Sequence, residues 1–195
     1  MKISQNGIDL IKRYEGCSLI SYKDTSGVWT IGYGWTGKVN GKTISKGLKI
    51  DQKTADNLLL TNLVSYENKV NKYQNIYHFN QNEFDALVSF CYNIGNIDQL
   101  TNNGKRTREQ IKSHWTAYCK SNGKILEGLI NRRKDELKLF NTEVKDDGYI
   151  TIYKNNQPVK VQAVNINGNN YIKLRDIEKI SDLKVDYVGG KIYVK

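Results

Sequence analysis

Glu15, Asp24 and Thr30 stand in the stretch EGCSLISYKDTSGVWTIGYG, with eight residues between the first two and five between the last two. Two carboxylates and a hydroxyl this close in sequence can line one cleft. One carboxyl donates a proton while the other, helped by the hydroxyl, activates a water. That is the equipment for cleaving a glycosidic bond.

Each residue needs an element to position it. The run before Glu15 reads as a short helix with Ser4 as N-cap and with Ile3 and Ile8 at the spacing of a hydrophobic staple. Ile8 and Ile11 mark an apolar face, and Glu15, seven and four residues on, falls on it. Gly16 ends the helix in a left-handed conformation. A carboxyl set there among apolar side chains is expected to have a raised pKa, as a general acid requires. Asp24 lies in the polar turn KDTSG, hydrated and ionised, and is the expected base. Thr30 opens TIGYG, a strand or hairpin, where its hydroxyl can both accept from and donate to a water shared with Asp24.

An ordinary helix end, a turn and a strand use the same residue types, so the surroundings decide. Glu15-Gly16, Tyr22, Asp24, Gly27 and Thr30-Ile31-Gly32-Tyr33-Gly34 resemble the signature of phage-type lysozymes (glycoside hydrolase family 24). NQNEFDALVSFCYNIG (80–95) is similar to that family's second block, and NGKILEGLINRRKDELKLF (122–140) to its closing helix. The resemblance covers residues 1–140. It implies a lysozyme-like α+β fold, with a small β-rich lobe and a larger helical lobe. It also implies hydrolysis of the β-1,4 bond between N-acetylmuramic acid and N-acetylglucosamine in peptidoglycan. Glu15 is then the acid, Asp24 the base and Thr30 the water-positioning partner. Inversion at the anomeric carbon is expected, and no metal or other cofactor. Tyr33, Trp35 and Asn93 are the candidate sugar contacts. Trp35 departs from the family, which usually has His there; it either stacks on a sugar or covers the hairpin.

Further helices follow from local signals. Asp51 caps one carrying Ala55, Leu58, Leu59, Leu63, Tyr66 and Val70 on one face. Asn80 with Glu83 caps a second, carrying the stripe Phe84, Leu87, Val88 and Cys91, closed by Asn93 and Gly95. Thr107 with Gln110 caps a third, with Ile111, Trp115 and Tyr118. The last runs from Lys124 to Phe140 with Leu126, Leu129, Ile130, Arg133, Leu137 and Phe140 on one face. An arginine on such a stripe needs a partner. Arg133 or Arg132 is expected to pair with a carboxylate near the cleft, Glu15 included; the alternative is a surface arginine with a buried stem.

The net charge of +10 divides as 21 Lys/Arg against 13 Asp/Glu in residues 1–140, and nine against seven in 141–195. A basic enzyme is drawn to an acidic polymer such as a Gram-positive wall. No nucleic-acid module is recognisable, and KRTRE (105–109) reads as a loop leading into a helix. Cys17, Cys91 and Cys119 fall at no metal-ligand spacing, their odd number argues against a disulfide framework, and they read as small buried hydrophobes. No apolar run approaches a membrane span of roughly 20 residues, so stable membrane insertion is not expected. Neither signal peptide nor signal anchor is recognisable, so the expected place is the host cytoplasm until a holin (implied by the family) releases the protein to the wall.

Residues 141–148 read as a linker. From 149 the chain alternates apolar and polar residues, with turns at Asn155-Asn156 and Asn167-Gly168, a short helix over 174–180, and two strands joined across Gly189-Gly190. This small α+β domain, 149–195, resembles the N-terminal-type domain of copper amine oxidases at Asn156, Val159, Asn167-Gly168, Tyr171, Leu174-Arg175 and Lys184-Val185. It lacks a metal-ligand set, so neither copper nor oxidase chemistry is carried over. The expected role is wall binding or oligomerisation. The whole reads as a muramidase with an accessory domain; the alternative is a catalytically silent wall-carbohydrate-binding protein on a lysozyme scaffold.

Overall fold

The computed structural model describes residues 1–121, 123–143, 149–154, 157–166, 169–173, 176–182, 185–188 and 191–194. The chain divides into two compact units, Met1–Val144 and Lys145–Lys195.

The first unit runs α1 (Gln5–Glu15), β1 (Ser18–Lys23), β2 (Trp29–Gly32), α2 (Gln52–Asn71), α3 (Gln74–Tyr77), α4 (Gln81–Ile94), α5 (Asp98–Thr101), α6 (Arg108–Trp115), β3 (Lys120–Ser121), β4 (Lys124–Ile125) and α7 (Glu127–Asn141). Three helix starts form as their sequences require. Asp51 accepts the Thr54 N–H at 2.7 Å, and Asn80–Glu83 and Thr107–Gln110 form reciprocal capping boxes. Ser4 occupies the N-cap of α1 without a local side-chain cap. Its N–H and hydroxyl both donate to Asp85 on α4 instead, so α1 is anchored by a tertiary contact.

Helix α4 is the centre of this unit and packs against α1, α2 and α7. The expected stripe understates it: every residue from Glu83 to Cys91 is buried, including Asp85 and Ser89. A helix buried on every side lies in the middle of a core, and its polar groups Glu83, Asp85 and Ser89 are hydrogen-bonded there. Around it lie Ile11, Leu59, Leu63, Val70, Leu100, Ile111, Trp115 and Phe140. A second, smaller cluster of Ile31, Val39 and Ile44 supports the β-rich lobe, and Ile50 packs against both clusters.

Helix α7 begins at Glu127, not Lys124, because Lys124–Ile125 is the strand β4, paired antiparallel with β3. Its expected apolar face is also corrected. Leu126 is exposed, Leu129 and Ile130 are half-buried, and the buried residues are Arg132, Arg133, Glu136 and Phe140.

In the second unit, β5 (Tyr149–Lys154), β6 (Gln157–Ile166) and β7 (Asn169–Ile172) form an antiparallel meander. The helix α8 (Ile177–Ile180) follows, then the hairpin β8 (Val185–Val188) with β9 (Lys191–Val194). Val161 and Ala163 are buried, and the buried Asp176 accepts the Gln162 N–H at 2.7 Å. The expected turns at 155–156, 167–168 and 189–190, together with Leu174, Arg175, Lys184 and linker residues 144–148, lie outside the described residues.

Candidate active site

Glu15 is the last residue of α1, and Gly16 follows with φ 66° and ψ 172°. That extended, positive-φ conformation suits glycine but is not the left-handed helical one expected. It turns the chain out of α1 and into β1 within two residues. Glu15 does not sit among apolar side chains alone. Arg132 Nη1 lies 2.7 Å from its Oε1, with the arginine side chain 4% exposed and the carboxylate 23%. Of the two arginines foreseen, Arg132 takes this role. Its Nε donates to Glu136 Oε1 at 3.1 Å, its Nη2 to the Ser89 carbonyl at 3.2 Å, and its guanidinium lies over the Tyr14 ring.

Glu136 organises the buried cluster behind Glu15. It accepts from Ser89 Oγ (2.8 Å), the Trp115 indole N–H (3.0 Å), Arg132, and Arg133 Nη2 (3.1 Å). Burial pushes its carboxyl upward, and the two guanidinia pull it back. Donors converging on both oxygens are the setting of an ionised carboxylate. Arg133 Nη2 also donates to Asn93 Oδ1 at 3.0 Å, and its guanidinium stacks over Phe90. Sequence reasoning missed Glu136 and Ser89. The available signal was Arg132 and Glu136 four residues apart on the closing helix.

Asp24 and Thr30 belong to the β1–β2 hairpin, in which Tyr22 pairs with Thr30. Asp24 is half-buried, and its Oδ1 accepts the N–H groups of Ser26 (2.9 Å) and Val28 (2.8 Å). Among the described residues its Oδ2 has no hydrogen-bond partner. Thr30 is buried and its Oγ1 donates to the Val28 carbonyl at 3.0 Å. With its proton donated to Val28, the hydroxyl keeps lone pairs with which to accept from a water. Asp24 and Thr30 are thus joined through Val28, while Glu15 is joined to α7 through Arg132.

The three candidate sugar contacts are differently placed. Tyr33 sits in the turn between Gly32 (φ 65°) and Gly34 (φ 88°) and is only 8% exposed. Its hydroxyl accepts from Gln52 Nε2 at 3.0 Å, its carbonyl accepts from the Tyr92 hydroxyl at 2.7 Å, and Lys12 Nζ lies over its ring. Trp35 packs on the Ile31–Val39–Ile44 cluster, and its indole N–H donates to the Lys38 carbonyl at 3.2 Å. This is the hairpin-covering arrangement. Asn93 is exposed at the end of α4 with its Oδ1 held by Arg133.

Two charges of KRTRE are structural. Arg106 caps the carbonyls of Gln99 and Leu100, and Arg108 pairs with Glu83 at 2.7 Å, so KRTRE braces α5 and α6. Cys91 is buried and Cys119 half-buried, but Cys17 is exposed, against expectation. Among the described residues no group of three or more His, Cys, Asp or Glu is placed to hold a metal ion, and no helix is long and apolar enough to cross a membrane.

Residues 12–136 match the family model described as phage lysozyme. The endolysin of Lactococcus phage c2 is 38% identical over 75% of this chain, which spans 63% of that protein. A crystal structure of a P22 lysozyme mutant is 33% identical and superposes with a TM-score of 0.63, covering 73% of this chain and 99% of its own. The muramidase domain of SpmX from Asticaccaulis excentricus is 34% identical with a TM-score of 0.61, covering 73% and 99%. The first unit therefore has a lysozyme-like fold.

Proposed function

The chain belongs to the phage lysozyme family, and on that premise we propose that it is an endolysin-type muramidase. The bond cleaved is the β-1,4 link between N-acetylmuramic acid and N-acetylglucosamine in peptidoglycan. Glu15 protonates the departing glycosidic oxygen, Asp24 takes a proton from the attacking water, and Thr30 accepts that water's second hydrogen bond. With the water on the opposite face of the ring, the outcome is inversion. The observation that carries this reading is the division of labour in the geometry. Glu15 is held by Arg132 at the end of α1, and the free Oδ2 of Asp24 and the lone pairs of Thr30 lie on the adjoining hairpin. No cofactor enters this scheme.

The proposed organisation is a catalytic domain over 1–140, a linker over 141–148 and an accessory domain over 149–195. The accessory domain, whose sequence resembles the small copper-amine-oxidase module, binds the wall or joins copies of the chain. The proposed partners are the peptidoglycan of a Gram-positive host and a holin that releases the protein from the host cytoplasm. The charge of +10 supports attraction to an acidic wall.

The test is clearing of purified Gram-positive peptidoglycan by the wild type and by Glu15→Gln, with reducing ends assayed. New muramic-acid reducing ends from the wild type alone are expected. No reducing ends from either protein, with both still pelleting with walls, would favour a silent binder. A chain lacking 141–195 should still cleave soluble fragments but bind walls more weakly; equal wall binding would refute the wall-binding role.

A further inference from the structure

We infer that Tyr92 is a positioning residue for the reaction proposed above, on which this inference rests: its hydroxyl fastens the hairpin that carries Thr30 to the helix that fixes the partner of Glu15. Tyr92 lies on α4 and donates to the carbonyl of Tyr33, three residues beyond Thr30, at 2.7 Å. On the same helix, the Ser89 carbonyl accepts from Arg132, which holds Glu15. Asn93, the next residue, holds Arg133. One rigid helix thereby spaces the acid against the water-positioning hydroxyl.

The tie is built to be stiff. Tyr33 stands at the tip of a turn whose flanking glycines both have positive φ, and Tyr92 supplies its carbonyl with a donor. Asn62 Nδ2 donates to the Tyr92 hydroxyl at 3.4 Å, and the Tyr66 ring lies 4.9 Å from the Tyr92 ring. Burial pushes the Tyr92 phenol up to about 12, so it stays a donor throughout the neutral range. From the other side, Gln52 bridges the Tyr33 hydroxyl and Asp56 (3.0 and 2.8 Å), and Lys12 pairs with Asp56 at 2.8 Å. Tyr33 is the point where α1, α2 and α4 grip the hairpin. Small displacements between reacting groups lower a rate steeply, while substrate binding spread over a cleft is little affected.

The experiment compares wild type, Tyr92→Phe, Thr30→Ala and the double variant on soluble peptidoglycan fragments, per folded molecule. Tyr92→Phe removes one oxygen and keeps the ring. It should lower kcat about tenfold while KM changes less than about twofold. In the Thr30→Ala background the same change should have little further effect, because both act through one water. A kcat equal to wild type, or the same fold loss in both backgrounds, would make Tyr92 a merely structural side chain and overturn the inference. Absence of reducing ends from the wild type is a different result: it would sink the muramidase reading and this role with it.

Discussion

Arg132 and Glu15, 117 residues apart in sequence, meet at 2.7 Å, and the same guanidinium is shared with Glu136 and the Ser89 carbonyl. A planar fork of donors can serve three acceptors in fixed directions; a single ammonium cannot. The site carboxylate is therefore positioned by the core of the helical lobe.

Arg132→Lys should lower reducing-end release per folded molecule at least about tenfold and stability by about 2–4 kcal/mol. Arg133→Lys, whose partners are Glu136 and Asn93, should cost similar stability with a smaller effect on kcat. Urea unfolding and kinetics on the same samples read both. Wild-type kcat in Arg132→Lys would mean that Glu15 does not need its partner.

Glu136→Gln preserves shape but removes the charge facing two buried guanidinia. It should destabilise the first unit by about 3–5 kcal/mol, because an uncompensated buried charge remains. A fall in urea-derived stability below about 1 kcal/mol would show that the cluster relaxes or takes in water.

The Lys12–Asp56 pair sets a pH window. The hydrogen bond from Lys12 holds the Asp56 carboxyl below its usual range, and the same bond raises the Lys12 ammonium. A depressed carboxylate stabilises above its unfolded pKa of about 3.9 and loses that contribution as pH falls through the folded value. A raised lysine stabilises below about 10.4 and loses it as pH rises past the folded value. The Tm gap between wild type and Asp56→Asn should be open between about pH 4 and about pH 10. It should narrow outside that range, and also in high salt, because both side chains are partly exposed. A gap constant with pH would assign the effect to packing.

The cysteines should separate by reactivity. Cys17 is exposed, whereas burial pushes the Cys91 thiol up to about 12. An alkylating reagent at pH 8 should modify Cys17 and spare Cys91 in the native protein, and reach all three thiols in urea. Peptide mass spectrometry distinguishes them; native labelling of Cys91 would show that α4 opens.

Much of this was legible locally. Asp51, the Asn80–Glu83 box and the Thr107–Gln110 box act within one turn of backbone, so their sequence is sufficient to place three helix starts. The four-residue helices α3 and α5 were not legible. A single turn is too short to form on its own propensity and exists only because packing holds it. Ser4 shows the same limit: its hydroxyl had a local use as a cap and took a distant one on Asp85.

Sequence alone determined the candidate acid, base and hydroxyl, three of the helix caps, the alternating strands of the second unit and the family. These are patterns of residue type along the chain, readable without knowing which distant segments meet. Tertiary structure decided which arginine meets Glu15, which side chains hold Tyr33, and that the buried face of α7 is charged. Such partnerships depend on where α1, α4 and α7 pack against one another and on which buried groups a charge then meets. No spacing within a single segment carries that information.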